Sequence, residues 1–227
     1  MRPSQSRGSR AAAVPNSHVC VVVIDDDEGF RESLGRLLRA AGLNPRLFAS
    51  INDFVGSDPP DSPTCLVLDV RLPERSGLDF QRDLAAAGVT LPIVFVTGHG
   101  DIPMTVQAMK AGAIEFLTKP FREQDLLDAV NVGLARDRAR RQNDEALSEL
   151  RARFEVLTPR ERAILVRVAE GRLNKQIAGE LGITETTVKV HRRNMMRKIE
   201  AASVPELCRI VDKLKLLKLV PGNSKLA

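Results

Sequence analysis

Residues 19–42, VCVVVIDDDEGFRESLGRLLRAAG, change periodicity at a cluster of acids. The short apolar run at 19–24 has the character of a buried strand, and after it Leu34, Leu37, Leu38 and Ala41 recur at steps of three and four, the spacing of one buried helix face. The same unit repeats along the chain. Apolar runs follow at 46–48 (weakly), 65–68, 92–96 and 113–117, with segments of helical period at 51–56, 77–87 and 102–111 and a long one from 123 onward. Five strands alternating with five helices predict an α/β domain with a doubly wound, five-stranded parallel sheet over residues 19–134.

Ligands of such sheets sit at the carboxyl ends of the strands. The first predicted strand runs into Asp25, Asp26 and Asp27, the third ends at Asp69, the fourth at Thr97, and the fifth at Thr118-Lys119-Pro120. Each of these alone has an ordinary reading: DDDE as a helix N-cap with acids favoured by the dipole, Asp69 as a turn residue, Lys119 as a solvated lysine. Together they converge carboxylates, a hydroxyl and an ammonium on one rim. Carboxylates that close repel one another unless a cation sits among them, and a hard divalent ion, Mg2+ or Mn2+, suits oxygen ligands that also face a phosphate.

The chain is 227 residues long, enough for two domains and a connector. Its net charge of +5 hides a segregation: residues 1–18 carry +3, residues 19–134 hold ten bases and seventeen acids, and residues 135–227 hold twenty-one bases and twelve acids. An acidic first domain is thus followed by a basic second one, which suggests nucleic acid as a partner. No apolar run is long enough to span a membrane. Cys20, Cys65 and Cys208 are odd in number and far apart, which fits reduced thiols in cytosol and excludes a disulfide framework or zinc finger. The Arg- and Ser-rich residues 1–18 lack the apolar core of a secretory signal and read as a disordered tail, with a second tail at 221–227. Residues 135–154 read as a helical linker, either paired with a second copy, given the heptad-like steps of Leu127, Val130 and Leu134 and then Leu147, Leu150 and Phe154, or solvated at its charged centre ARDRARRQNDE.

The basic domain, predicted over 155–220, is all α. Thr158-Pro159-Arg160-Glu161 is a capping box with proline at the first helical position, and Ala163, Ile164, Val166 and Val168 supply that helix's apolar content. A short helix follows, NKQIAGELG, closing at Gly182; a third opens at Thr184 as N-cap and runs to Ile199; a fourth extends from Pro205 to about Leu219. The second and third form a helix-turn-helix pattern. Val188, His191, Met195 and Ile199 fall on the inward stripe of the third, while Thr186, Lys189, Val190, Arg193 and Arg197 share the outer face. Lys189 and Arg193 can reach base acceptors or phosphates there, Val190 can meet a thymine methyl, and Lys175 and Thr187 are candidate phosphate contacts.

Residues 19–125, with Asp25-Asp26, LVLDVRLPERSG, VTGHGD and FLTKPF, resemble the receiver domain of two-component response regulators, a flavodoxin-like fold. Residues 155–217 resemble the LuxR-type helix-turn-helix of the FixJ/NarL class. The resemblance implies that Asp69 accepts a phosphoryl group from a sensor histidine kinase, and that Asp25, Asp26, Asp69 and the backbone carbonyl of Arg71 hold Mg2+. It implies too that Thr97 and Lys119 bind phosphoryl oxygens beside a cis bond to Pro120, and that Lys189, Val190 and Arg193 read bases. Such a chain is no ordinary enzyme, since the receiver catalyses only its own phosphotransfer and dephosphorylation. It is expected to be a cytoplasmic transcriptional regulator, an activator working with RNA polymerase, that binds promoter DNA as a homodimer when phosphorylated. Phe116 matches the family's switch aromatic; it is open whether it plays that role or is a plain core phenylalanine. Two rivals remain: a haloacid-dehalogenase-like phosphatase, which wants a second Asp where Arg71 stands, and a receiver whose output binds RNA or protein.

Overall fold

Three strands, β1 (Cys20–Ile24), β3 (Thr64–Asp69) and β4 (Ile93–Thr97), are buried along their whole length. Strands covered on both faces need helical crossovers, supplied by α1 (Glu28–Ala40), α3 (Gly77–Ala86) and α4 (Ile102–Lys110). The edges are β2 (Asn44–Phe48), followed by α2 (Ile51–Val55), and β5 (Glu115–Thr118), followed by α5 (Glu123–Glu155). All pairings are parallel and the order is β2-β1-β3-β4-β5, the flavodoxin-like doubly wound order whose switch point lies between β1 and β3. This is a computed structural model, and it describes residues 19–216. The expected tails at 1–18 and 221–227, and the predicted helix end near Leu219, lie outside those residues.

Local departures from expectation have local causes. Ala41 is not on the buried face of α1; it is the exposed C-cap, and Leu43, whose N–H reaches Leu38 O at 2.9 Å, fills the core position. β5 starts only at Glu115 because Ala113 still closes α4 through its N–H to Ala108 O (3.1 Å). β2 is weakly patterned because it is an edge: it tolerates Pro45, and Arg46 lies over the Phe48 ring and donates to Asp58 O (2.8 Å) and Ser57 Oγ (2.9 Å).

The chain divides into two compact units at Arg141–Gln142. Just before that boundary, Asp137 lies in the stretch that reads as a solvated charged centre yet is completely buried. Its carboxylate accepts from Thr64 N (2.9 Å), from Arg140 Nε and Nη2 (2.9 and 2.7 Å) and from Arg141 Nε (2.8 Å), while Arg141 Nη2 donates to Pro60 O (3.0 Å). Residues to Arg141 are thereby fastened to the start of β3. The apolar steps of α5 are consumed within the units: Val130 and Leu134 pack with the sheet, and Leu150 and Phe154 join the second core with Leu157.

The second unit is all α: α6 (Pro159–Ala169), α7 (Asn174–Leu181), α8 (Glu185–Ile199) and α9 (Val204–Leu216). The capping box is present, with Glu161 N–H on Thr158 Oγ1 and Thr158 N–H on Glu161 Oε2. Leu165, rather than Ala163 or Val166, completes the buried face of α6. Glu161 is buried too and receives Lys198 Nζ at 2.7 Å, which ties α6 to α8. Gly182, at φ 64°, turns the chain between α7 and α8 in the left-handed conformation.

Burial pushes the Asp137 carboxyl up, but the hydrogen bonds from Arg141, Thr64 and Arg140 outweigh it and hold the carboxyl below its ordinary value. A depressed folded-state pKa gives stability that is present above the unfolded value, near 3.9, and is lost as pH falls through the folded one. Asp137→Ala is therefore expected to cost on the order of 3 kcal/mol in denaturant unfolding of the first unit at pH 7. The deficit should shrink below about pH 4, and a variant as stable as the parent at pH 7 would refute the clamp.

Candidate functional site

The carboxyl ends of β1, β3, β4 and β5 meet at one rim. Asp25 follows the last residue of β1 and is wholly buried; Asp26 beside it is exposed; Asp69 is the last residue of β3 and is 7% exposed. Lys119, just past β5, donates from Nζ to Asp25 Oδ2 at 2.6 Å and to Asp69 Oδ2 at 3.1 Å. Its own N–H reaches Thr97 O at 2.7 Å, and the Lys119–Pro120 bond is cis. Thr97 ends β4, is buried, and its Oγ1 accepts His99 N–H at 3.3 Å.

Backbone amides and one guanidinium hold the acids. Asp25 Oδ1 accepts from Asp27 N (3.0 Å), Asp69 Oδ1 from Arg71 N (2.9 Å), and Arg31 Nη1 donates to the carbonyls of Asp25 (2.7 Å) and Asp26 (3.4 Å). Asp27 is the N-cap of α1, through Oδ1 to Phe30 N. The acidic run thus divides its labour, with one acid capping and two facing the rim. Gly77 opens α3 against the loop after β3; a Cβ there would collide with the Asp69 carbonyl, so only glycine permits that approach.

Burial pushes the Asp25 carboxyl above its ordinary range, with Lys119 pulling the other way. Burial likewise works against the Lys119 ammonium, but Asp25 and Asp69 outweigh it and raise its pKa. One carboxylate oxygen from each of Asp25, Asp26 and Asp69 lies within 4.8 Å of the others. An all-oxygen donor set of that span, with one member forced out of water, fits a small hard divalent cation such as Mg2+.

In the second unit, α8 divides as its pattern predicts. Val188, Met195 and Ile199 are buried, His191 is half-buried, and Thr186, Lys189, Val190, Arg193 and Arg197 are exposed, with Val190 55% exposed. Lys175 is exposed near the start of α7. Thr187 differs: it is half-buried, its N–H donates to Thr184 Oγ1 (3.1 Å) and its hydroxyl shares a hydrogen bond with that oxygen (2.9 Å), so it is part of the helix cap.

The family model for the response regulator receiver domain matches residues 21–131, and that for bacterial regulatory proteins of the luxR family matches residues 155–211. Nodulation protein W of Bradyrhizobium diazoefficiens is 48% identical over 208 residues, 92% of each chain. The chain belongs to the two-component response regulators of the FixJ class. FixJ of Azorhizobium caulinodans is 43% identical over 84% of this chain and 90% of its own. Among solved structures, the response regulator StyR superposes with a TM-score of 0.80 at 50% identity, over 86% of this chain and 99% of that one.

This response regulator is accordingly a transcriptional regulator with a receiver and a LuxR-type DNA-binding domain. Its structure brings Asp25, Asp26, Asp69, Thr97 and Lys119 together at one rim and places the peptide N–H of Arg71 on Asp69. Phe116 is 8% exposed, packed on Phe95 (ring centroids 6.1 Å apart) and beneath Gly100, where a Cβ would come within 2.8 Å of its ring. Sequence reasoning missed Arg31 and Phe30, which reach the rim from the first turns of α1. It also missed Arg192, whose Nη1 donates to Asn174 Oδ1 (3.0 Å) and links α8 to α7. The signal for the first two was their position in the helix that directly follows the acidic turn.

Proposed function

We propose that this response regulator is switched by phosphoryl transfer to Asp69 from a sensor histidine kinase, and that the phosphorylated chain pairs and binds two-fold promoter DNA. The supporting observation is the Asp69 carboxylate held between the Arg71 N–H and the Lys119 ammonium, beside Asp25 and Asp26. A carboxylate oxygen of Asp69 attacks the phosphorus of phosphohistidine. The P–N bond breaks with its electron pair left on the imidazole nitrogen, and an acyl phosphate forms. Asp25, Asp26, Asp69 and the Arg71 carbonyl would hold Mg2+, or Mn2+, which supplies charge neutralisation of the transferring group. Lys119 balances the remaining charge, and Thr97 turns its hydroxyl to a phosphoryl oxygen. Attack of water on phosphorus later releases inorganic phosphate and restores the carboxylate, so the receiver acts only on itself.

The phosphoryl group adds roughly −1.5 to −2 charges. A lysine contact is worth up to ~4 kcal/mol near 4 Å at an effective dielectric of about 20, and a charged hydrogen bond ~1.5–3. Inverting a 1:99 equilibrium needs about 5.5 kcal/mol, so such contacts drive the switch only to the extent that they form in one state, and Lys119 already pairs with Asp25 and Asp69 before phosphorylation. Thr97 and Asp101 bracket the loop between β4 and α4, and Asp101 caps α4 through Met104 N at 2.7 Å. Movement of Thr97 therefore reaches α4, with Phe116 packed under the same loop as the switch aromatic. On α4, Ile102, Val106 and Met109 are 81%, 45% and 42% exposed at steps of four and three, an apolar stripe suited to pairing with a second copy.

Pairing would bring two α8 helices to adjacent major grooves, with Lys189, Val190 and Arg193 at base edges, and Thr186, Arg197, Lys175 and Thr187 toward the backbone. The DNA partner sets the place of action in the cytoplasm. Among the described residues no helix is long and apolar enough to cross a membrane. Activation through RNA polymerase follows from likeness to the class. A receiver of 19–134, a linker of 135–154 and an output domain of 155–220 remain the functional division, with the packing boundary at Arg141.

Acetyl phosphate with Mg2+ is expected to label the protein on Asp69; Asp69→Asn labelled to the same extent would sink the assignment. Arg193→Ala is expected to weaken binding to the regulated promoter about tenfold or more and to relax preference at the base it reads. Unchanged affinity and preference would remove α8 from the groove, and shallow salt dependence on duplex DNA would favour an RNA or protein output. In sedimentation, phosphorylated Ile102→Glu should stay monomeric, and a dimer as tight as the parent's would exclude α4 from the interface.

A further inference from the structure

We propose that Phe30 is the positioning residue for the Lys119 ammonium, holding it by the face of its ring so that one N–H is left for a phosphoryl oxygen; this rests on Asp69 being the phosphoacceptor. Lys119 Nζ lies 3.7 Å from the centroid of the Phe30 ring. An ammonium has three donors, and Asp25 and Asp69 take two of them. The ring face attracts the cation through its quadrupole. It offers no lone pair of the kind that a polar side chain would use to capture the third N–H. An aliphatic side chain of the same size would fill the space without attracting the charge.

The ring is itself fixed from both sides of the site. Phe30 N–H donates to the N-cap Asp27 at 3.0 Å, in the turn that carries Asp25, and Arg31 beside it donates to the Asp25 carbonyl. Phe121, two residues after Lys119, meets the Phe30 ring at 6.1 Å and 87°, edge to face. The Phe30 ring is thus packed against the segment that carries the lysine. A lysine on a flexible four-carbon stem, with its side chain only 20% exposed, is thereby confined to one position. Phe30 touches no reacting atom in this scheme; it acts through Lys119.

The test uses the full chain, acetyl phosphate and saturating Mg2+, with the rate of Asp69 labelling followed against phosphodonor concentration. Phe30→Leu is expected to lower the maximal rate constant about tenfold with little change in half-saturating phosphodonor, in calorimetric Mg2+ affinity or in melting temperature. Phe30→Tyr, which keeps the ring face, should recover most of the rate. In a Lys119→Ala background Phe30→Leu should cost nothing further, because its effect runs through the ammonium. A Phe30→Leu rate equal to the parent's, or a loss that is fully additive with Lys119→Ala, overturns the proposal. Phe30→Met replaces Phe30→Leu if the latter melts early, under the same criteria. Labelling of Asp69→Asn would instead overturn the phosphoacceptor reading, so the two failures are distinct.

Discussion

A carboxylate with no exposure at the end of a buried strand has no place in a protein interior without a cation beside it. Asp25 is in that position, and Lys119 answers it from across the sheet. The same ammonium reaches Asp69, and its backbone N–H reaches the carbonyl of Thr97, so four strand ends are fastened at one point. The rest of the rim follows from this. The acids are held by the amides of Asp27 and Arg71 at the angles that their loops dictate, and the close approach of α3 to the Asp69 carbonyl depends on Gly77. The geometry that could receive a cation and a phosphate is therefore built from the same contacts that join the four strand ends.

The second unit uses the same arrangement at smaller scale. Glu161 caps α6, is almost wholly buried, and is answered by Lys198 near the end of α8. Burial raises its pKa, but the bonds from Lys198 and Thr158 bring it below the ordinary value, so the charge is kept at neutral pH. With α6 and α7 fastened to the inner side of α8 by Lys198 and Arg192, the outer side carries charge and no packing duty. A helix that presents Lys189, Arg193 and Arg197 to solvent while it buries Val188, Met195 and Ile199 depends on those inner ties.

Periodicity made the strands and helices legible, because burial on both faces of β1, β3 and β4 leaves no choice of residue type. The strand-end residues could be read for the same reason: once five strands are placed, topology brings Asp25, Asp69, Thr97 and Lys119 to one edge. Asp137, Glu161 and Arg31 were not legible, since an acid or base in a charged or capping stretch looks solvated until its partner is known. The partner of Asp137 is an amide seventy-three residues away. Phe116 could not be assigned a direction from its neighbours in sequence; Gly100, on a different loop, makes the room for its ring.

The edge strand β2 bears on how such a molecule avoids unwanted company. An open sheet edge is a template for another chain's backbone. Here Pro45 deletes one amide from that border, while the Arg46 side chain ties the loop after α2 to the strand through Ser57 and Asp58. Strand-to-strand growth, the route that ends in fibres, is discouraged there. Contact with other molecules is thereby turned away from that backbone edge and toward side chains.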